Sequence, residues 1–187
     1  MKIIILLIFL NFGLNYSYSQ EIIFLPSDSS TSVEGLTFNL FGKEINFTSL
    51  SPEKLFQLYL NSTKDNTYEN CCPEISSYFV NKEIISGPGH SDATFYFLGN
   101  NLFQISLQIE WDEETDKELD NLISQFKMYK STDNYEEALG RDITTEFYKN
   151  GNYQIEISYL RFKVCSIVDE NLKTEVKKVY PSFQQDY

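Results

Sequence analysis

The sequence predicts an α+β fold in which a mostly antiparallel sheet, made of hairpins and a C-terminal meander, carries two main helices packed on one face. Apolar and polar residues alternate in several short segments, which is typical of strands with one side in water. Two other segments repeat apolar residues at helical spacing after helix-start signals. The chain has neither the βαβ alternation of a parallel sheet nor a nucleotide-binding glycine pattern, so one α+β domain is expected.

Two hairpins are predicted in the first part of the chain. Between positions 36 and 47 apolar residues alternate on both sides of Gly42–Lys43, and Gly42 would supply the positive φ of the turn. A second hairpin turns at positions 99–101. The strand after that turn alternates most clearly, with Phe103, Ile105, Leu107 and Ile109 on one face and Gln104, Ser106, Gln108 and Glu110 on the other. Its polar face is expected to contact water.

Two helices separate the strand-rich parts. The first is predicted from Pro52, with Ser51 as its N-cap and Pro52 at the first helical position. The second is predicted within residues 112–130, with Thr115 and Glu118 forming a capping box. Its apolar stripe consists of Leu119, Leu122, Ile123 and Phe126. Strand, turn, strand and helix thus recur in the same order, although the residues of the two copies do not align.

The last third of the chain predicts a meander. Strands are expected at positions 143–148, 153–159 and 162–168, followed by a terminal helix at 169–180. Residues 181–187 are expected to form a frayed tail.

The N-terminus has the three parts of a secretory signal. Lys2 precedes an apolar run from Ile3 to Leu14, which is too short to span a membrane as a helix. Ser17 and Ser19 are small residues at the end of this segment, so cleavage is predicted before Gln20. The expected organisation is a signal peptide at 1–19 and a single α+β domain at 20–187. Positions 20–35 form a flexible N-terminal segment of this domain, with a short strand at 21–25. The predicted location is the bacterial periplasm or exterior.

The formal charge of −12 limits the partners of this protein. Nucleic acids and anionic membranes attract clustered Lys and Arg, so neither is an expected partner. The expected partner is a protein with a basic or neutral surface, and membrane insertion after signal cleavage is not expected. No cofactor is predicted.

The cysteines are Cys71, Cys72 and Cys165. In an oxidising compartment a distant pair tends to form a disulfide, whereas two adjacent cysteines can bridge only under strain. The predicted disulfide therefore joins Cys72 to Cys165, with Cys71 in place of Cys72 as the alternative. The third cysteine is expected to remain a free thiol.

Few residues suggest catalysis or metal binding. His90 stands in "SGPGHSD", which favours an exposed loop histidine. A hydrolase could use His90 with Cys71 or Cys72, or with Ser91. Asp112, Glu113 and Asp116 could bind calcium, although the EF-hand spacing is missing and acidic residues are common at a helix N-terminus. Trp111 is expected in the core or at its boundary.

These observations favour a non-enzymatic binding or interaction protein, for example one with an inhibitor- or immunity-like role. One alternative is a small secreted hydrolase that uses His90 with an unpaired cysteine or Ser91. The other is a self-associating structural protein of the envelope.

Overall fold

The computed structural model describes the backbone of residues 20–23 and, in full, residues 35–82, 89–136, 140–181 and 183. The strands are β1 (Gln20–Ile23), β2 (Thr37–Leu40), β3 (Lys43–Asn46), β4 (Thr63–Asp65), β5 (Ile75–Lys82), β6 (His90–Leu98), β7 (Asn101–Glu110), β8 (Lys127–Glu136), β9 (Arg141–Asn150), β10 (Tyr153–Tyr159) and β11 (Lys163–Asp169). The helices are α1 (Pro52–Leu58), α2 (Glu113–Ile123) and α3 (Glu170–Val179). Within these ranges, no helix is both long and apolar enough to cross a membrane.

The strands form a large antiparallel sheet and a separate hairpin. Among the residues that the structure describes, the large sheet has nine strands in the order β1-β8-β9-β10-β11-β7-β6-β5-β4, and β2 pairs with β3 alone. Each described strand pair is antiparallel. The predicted mostly antiparallel sheet is therefore confirmed.

The two faces of the central strands differ in polarity. Ile105 and Leu107 of β7 are buried in the larger hydrophobic cluster with Ile155 and Ile157 of β10. We call this side of the sheet the apolar face. Ser106 and Gln108 alternate with them on β7 and belong to the other side, the polar face. Period-two alternation holds in this part of β7. Phe103 was predicted on the same face as Ile105, but it lies in a smaller cluster with Tyr96 because the β6–β7 register shifts beside it.

The helices contribute to two separate hydrophobic clusters. Leu55 of α1 and both Leu119 and Leu122 of α2 are buried in the larger cluster. Val176 of α3 is buried in a smaller cluster with Cys72, Ile75, Tyr96 and Phe103. The terminal helix therefore packs on residues that the first two helices do not share.

Several predicted elements match the structure. The hairpin β2–β3, the strands β6, β7, β9, β10 and β11, and the helices α1, α2 and α3 are all present. Ser51 caps α1 and accepts a hydrogen bond from the Lys54 N–H. The first turn lies one residue earlier than predicted, because Phe41 and Gly42 both have positive φ, at 52° and 71°.

Other elements were predicted wrongly or missed. α2 ends at Ile123, and residues 127–130, which were expected to continue it, belong to β8. Its N-cap is Asp112 rather than Thr115, whose backbone N–H donates to Asp112. The strands β4, β5 and β8 had no predicted counterpart. β8 lacks apolar alternation because it lies near the sheet edge, where both faces are partly exposed.

Some predictions concern residues outside the described ranges. The signal peptide at 1–19 and positions 24–34 of the N-terminal segment are among them, as are Ser182 and residues 184–187 of the predicted tail.

Trp111 is exposed and has a strained backbone, which corrects its expected place in the core or at its boundary. Its side chain is 71% exposed and its φ is 58°, a left-handed conformation that is costly for a bulky residue. It joins β7 to the N-cap of α2.

We expect Trp111→Gly to raise the free energy of unfolding by about 0.5–1 kcal/mol, because glycine adopts positive φ without steric cost. Denaturant unfolding measures the change. Trp111→Ala is the matched control: it removes the same exposed ring but keeps a Cβ, so its stability should stay close to that of the wild type. An equal gain in both variants would contradict the explanation by backbone strain.

Candidate functional site

The polar face of the sheet contains a groove of about 600 Å³. It runs across β6, β7, β11 and β10, and Leu160 and Phe162 of the segment between β10 and β11 also line it. The volume is in the range of ligand-binding clefts. Its lining residues are Asp92, Thr94, Tyr96, Ser106, Leu107, Gln108, Ile143, Glu156, Ser158, Leu160, Phe162, Val164 and Ser166.

Strand register arranges the groove residues in two rows. Asp92, Gln108, Val164 and Ser158 are opposite one another on successive strands. The adjacent row consists of Thr94, Ser106, Ser166 and Glu156. Each row therefore crosses the sheet with a carboxylate at one end, and most of its other side chains carry a hydroxyl or an amide group.

The two carboxylates of the groove are well separated. Asp92 lies on β6 and Glu156 on β10, with β7 and β11 between them. At about 4.8 Å for each strand step, the distance between them is roughly 15 Å. Since no lysine or arginine is among the described residues that line the groove, its charged lining is negative at both ends.

Ser166 provides an unpartnered hydroxyl in the middle of the groove. The residue is only 5% exposed, and its Oγ is buried without a hydrogen-bond partner among the described residues. Ser158, in the adjacent row, already shares a 3.0 Å hydrogen bond with Thr145. A buried hydroxyl without a partner is destabilising unless another molecule supplies one.

His90 is the first residue of β6 and not part of a loop, which corrects the sequence-based interpretation. Its Nε2 lies 2.8 Å from Asp92 Oδ2, so the histidine contacts one of the groove carboxylates. Ser91 points to the opposite side of the strand, where its buried Oγ donates to Asp112 Oδ2 at 2.8 Å. The structure therefore brings His90 together with Asp92 and not with Ser91.

The cysteine pair lies far from His90. Ile75, which follows the pair closely, is opposite Leu98 at the other end of β6. Eight residues of extended strand separate Leu98 from His90 by about 26 Å. Cys71 and Cys72 are therefore not brought together with the histidine.

The predicted Cys72–Cys165 disulfide is not formed. All three cysteines are free thiols, with Cys71 exposed and the other two buried. Cys165 lies in the larger cluster and Cys72 in the smaller one. Cys165 is opposite Leu107 on the apolar face, whereas Cys72 packs with Tyr96 of the polar face, so the sheet separates them. Burial raises the pKa of the Cys165 thiol well above its ordinary value.

The acidic residues near the start of α2 contact lysines and hydroxyl groups. Lys82 Nζ lies 3.1 Å from the Asp112 carboxylate and 2.9 Å from Glu114 Oε2. Asp116 forms a 2.9 Å ion pair with Lys163, and Glu113 is exposed in the first turn of the helix. Within the described ranges, no group of three or more His, Cys, Asp or Glu residues could hold a metal ion.

Asp112 accepts most of the hydrogen bonds in this network. Thr115 Oγ1 donates to it at 2.6 Å and Ser91 Oγ at 2.8 Å. Burial alone would raise the pKa of Asp112, but hydrogen bonds from Thr115, Ser91 and Lys82 more than offset this and hold the pKa at about 2. The residue is therefore an ionised structural cap.

The groove was not identified from the sequence. Its signal was present in part, because Gln104, Ser106 and Gln108 predicted a water-facing side of β7. β6 joins β7 through the predicted hairpin, but β11 joins β7 through pairings between residues far apart in the chain, such as Cys165 with Leu107. Sequence periodicity alone does not specify such pairings.

Comparison of the chain with protein-family models, with curated proteins and with solved structures finds no significant match in any of the three.

Proposed function

We propose that this protein is an exported, non-enzymatic binding protein whose polar-face groove receives a basic segment of a partner protein. The observation that carries the proposal is the pair of carboxylates, Asp92 and Glu156, at opposite ends of a groove whose described lining residues include no lysine or arginine. An ammonium or guanidinium group bound at each end would gain a charge-assisted hydrogen bond. The net charge of −12 would also attract a basic partner over longer distances.

The spacing of the carboxylates supports a peptide segment as the ligand. In an extended chain two side chains four positions apart are separated by about 13 Å, close to the roughly 15 Å between Asp92 and Glu156. The hydroxyl groups of Ser106 and Ser166 lie between the two ends and could bind backbone groups of such a segment. Leu160 and Phe162 offer an apolar contact in the lining of the groove.

Calorimetric titration with synthetic peptides tests this proposal. The probe is a peptide with two lysines four positions apart, and the control peptide carries acetyl-lysine at both positions. We expect the first peptide to bind and the second to bind at least tenfold more weakly, because a charge-assisted hydrogen bond contributes about 1.5–3 kcal/mol. Binding should weaken as salt is added.

Substitutions in the groove make the test specific. Asp92→Asn and Glu156→Gln should each weaken peptide binding roughly tenfold. Glu136→Gln, at the exposed end of β8, removes the same charge away from the groove and should have little effect. Equal binding by all three variants, or by the acetylated peptide, would refute the proposal. A simple diaminoalkane that binds as well as the peptide would indicate a small-molecule ligand and also contradict it.

We further propose that the leader is cleaved before Gln20 and that the protein acts in the periplasm or outside the cell. The support is the charged, apolar and small-residue pattern of positions 1–19. Since β1 begins at Gln20, such cleavage would leave the strand and its pairing with β8 intact. Intact mass of material recovered from the native host should give Gln20 as the first residue.

The second candidate function is that of a hydrolase, which the hydrogen bond between His90 and Asp92 supports. A carboxylate that orients a histidine is part of many hydrolytic sites, but a nucleophile must also contact the histidine. Ser91 is engaged with Asp112 instead. A general hydrolase screen with the wild type and His90→Ala separates the candidates: activity lost in the variant would favour the enzyme, and no activity in either would favour binding.

We propose that the fold is one domain in which α1 and α2 form a layer over the apolar face. The shared burial of Leu55, Leu119 and Leu122 in the larger cluster supports this arrangement. The groove on the opposite face would then remain open to a partner.

A further inference from the structure

Cys71 and Cys72 lie in the turn that leads from β4 into β5. The backbone N–H of Cys72 donates to the Tyr68 carbonyl at 2.9 Å, and the Ile75 N–H donates to the Cys72 carbonyl at 2.8 Å. The ring of Tyr68 packs on those of Tyr96 and Phe183. The turn is therefore held by backbone hydrogen bonds on both sides of the cysteines and by aromatic packing.

The two thiols are in direct contact but differ in exposure. The sulfur atoms are 2.7 Å apart, and Cys71 Sγ is also 3.6 Å from the Tyr68 carbonyl oxygen. Cys71 is exposed, whereas Cys72 is fully buried in the smaller cluster. A reagent in solution can reach the first sulfur and not the second.

We propose that Cys71 and Cys72 form a redox-active dithiol that exchanges with low-molecular-weight disulfides and closes into a vicinal disulfide. In the first step the Cys71 thiolate attacks a disulfide RSSR, forming a mixed disulfide and releasing one thiolate. In the second step Cys72 loses its proton and attacks Cys71 Sγ, which releases the second thiolate. The protein dithiol is oxidised and one RSSR is reduced to two RSH.

Geometry gives each cysteine a distinct role. Only Cys71 can make the initial attack, and the contact between the sulfurs makes the second step intramolecular. Burial and the hydrogen bond with Cys71 raise the pKa of Cys72 to about 11, so its thiol is protonated in the resting dithiol. Cys165 is fully buried in the other cluster and takes no part. This proposal does not depend on the function of the groove.

Adjacent Cα atoms are about 3.8 Å apart, less than the 4.4–6.8 Å that most disulfides span. Closing the ring therefore requires a local backbone adjustment in the turn. A disulfide under such constraint is readily reduced again, which suits a reversible site.

Incubation of the reduced mature protein with oxidised glutathione, followed by non-reducing mass spectrometry, tests the proposal. We expect a mass loss of about 2 Da, for two hydrogen atoms, confined to the peptide that contains both cysteines. Cys72→Ala should instead accumulate a glutathione adduct on Cys71, a gain of about 305 Da. Cys165→Ala should behave like the wild type.

A change at the buried Cys72 could disturb folding, whereas Cys71→Ser alters only an exposed side chain and tests the reaction without that effect. This variant should show neither the mass loss nor an adduct under native conditions. A stable adduct on Cys71 of the wild type, or a bridge from either adjacent cysteine to Cys165, would overturn the proposal.

Discussion

Replacing Asp112 by alanine should lower the free energy of unfolding by about 3 kcal/mol, which is the largest effect we expect from a single polar substitution. The side chain of Asp112 is 6% exposed and that of Lys82 15%. Removing one partner of a buried ion pair leaves the other without compensation, which typically costs about 3–5 kcal/mol. Loss of the cap of α2 lowers the free energy of unfolding by about a further 0.5–2 kcal/mol. The ion pair between Lys82 and Glu114 remains in the variant, so the net loss is smaller than the sum of these contributions.

Denaturant unfolding measures this effect, and Asp169→Ala is its matched control. Asp169 caps α3 through the backbone N–H groups of Asn171 and Leu172. Its alanine variant should lose only about 1 kcal/mol, the usual contribution of a cap. Equal losses in the two variants would mean that the contacts with Lys82 and Ser91 add nothing to capping.

The contribution of Asp112 should also depend on pH. Its pKa is about 2 in the folded protein against an ordinary value of 3.8. Because the folded-state pKa is the lower one, the unfolded chain binds the proton first as the pH falls. The stability due to this ionisation is therefore complete above the ordinary value and is lost as the pH falls towards 2. The stability difference between wild type and Asp112→Ala should shrink over that interval.

Replacing Glu118 by alanine should lower the free energy of unfolding by about 2 kcal/mol and loosen the turn of the β2–β3 hairpin. Its carboxylate accepts hydrogen bonds from the backbone N–H groups of Phe41 and Gly42, at 2.7 and 2.8 Å. Hydrogen bonds to a charged group contribute about 1.5–3 kcal/mol each when shielded, and less here because Glu118 is partly exposed. These bonds join α2 to a hairpin that pairs with none of the other described strands.

Amide hydrogen exchange identifies the cause of this loss. In Glu118→Ala the amides of Phe41 and Gly42 should exchange much faster, while those of β7 keep their protection. Asp120→Ala, at an exposed position of the same helix, should change stability by less than about 0.5 kcal/mol. Unchanged exchange at the turn in Glu118→Ala would show that the helix does not hold the hairpin.

The two most informative errors of the sequence analysis concern the same helix. Thr115 and Glu118 have the spacing of a capping box, and local spacing was the reason for that prediction. In the structure Thr115 instead donates to Asp112, and Glu118 binds a turn 76 and 77 residues away in sequence. A carboxylate with a distant partner cannot be distinguished by spacing from one with a near partner.

The candidate site also depends on distant partners that local sequence patterns do not reveal. The polar residues of β7 were recognised as water-facing, but the strand that carries Ser166 has apolar residues in both phases, and Val164 and Val168 are in the phase of Ser166. The register places all three on the polar face, and the apolar face is occupied by Cys165 and Ile167 instead. The phase of a short strand with apolar residues on both faces is ambiguous until its neighbours are known.

The amino-acid sequence alone determined the acidic charge, the antiparallel strands with clear alternation and the start signals of α1, because each depends on residues close together in the chain. Tertiary structure alone decided the strand order, the groove between Asp92 and Glu156, the partners of Asp112 and Glu118, and the placement of Cys72 and Cys165 in separate clusters. These features depend on which distant segments pair. Many pairings satisfy the same local pattern, and only the packing of the whole chain selects one of them.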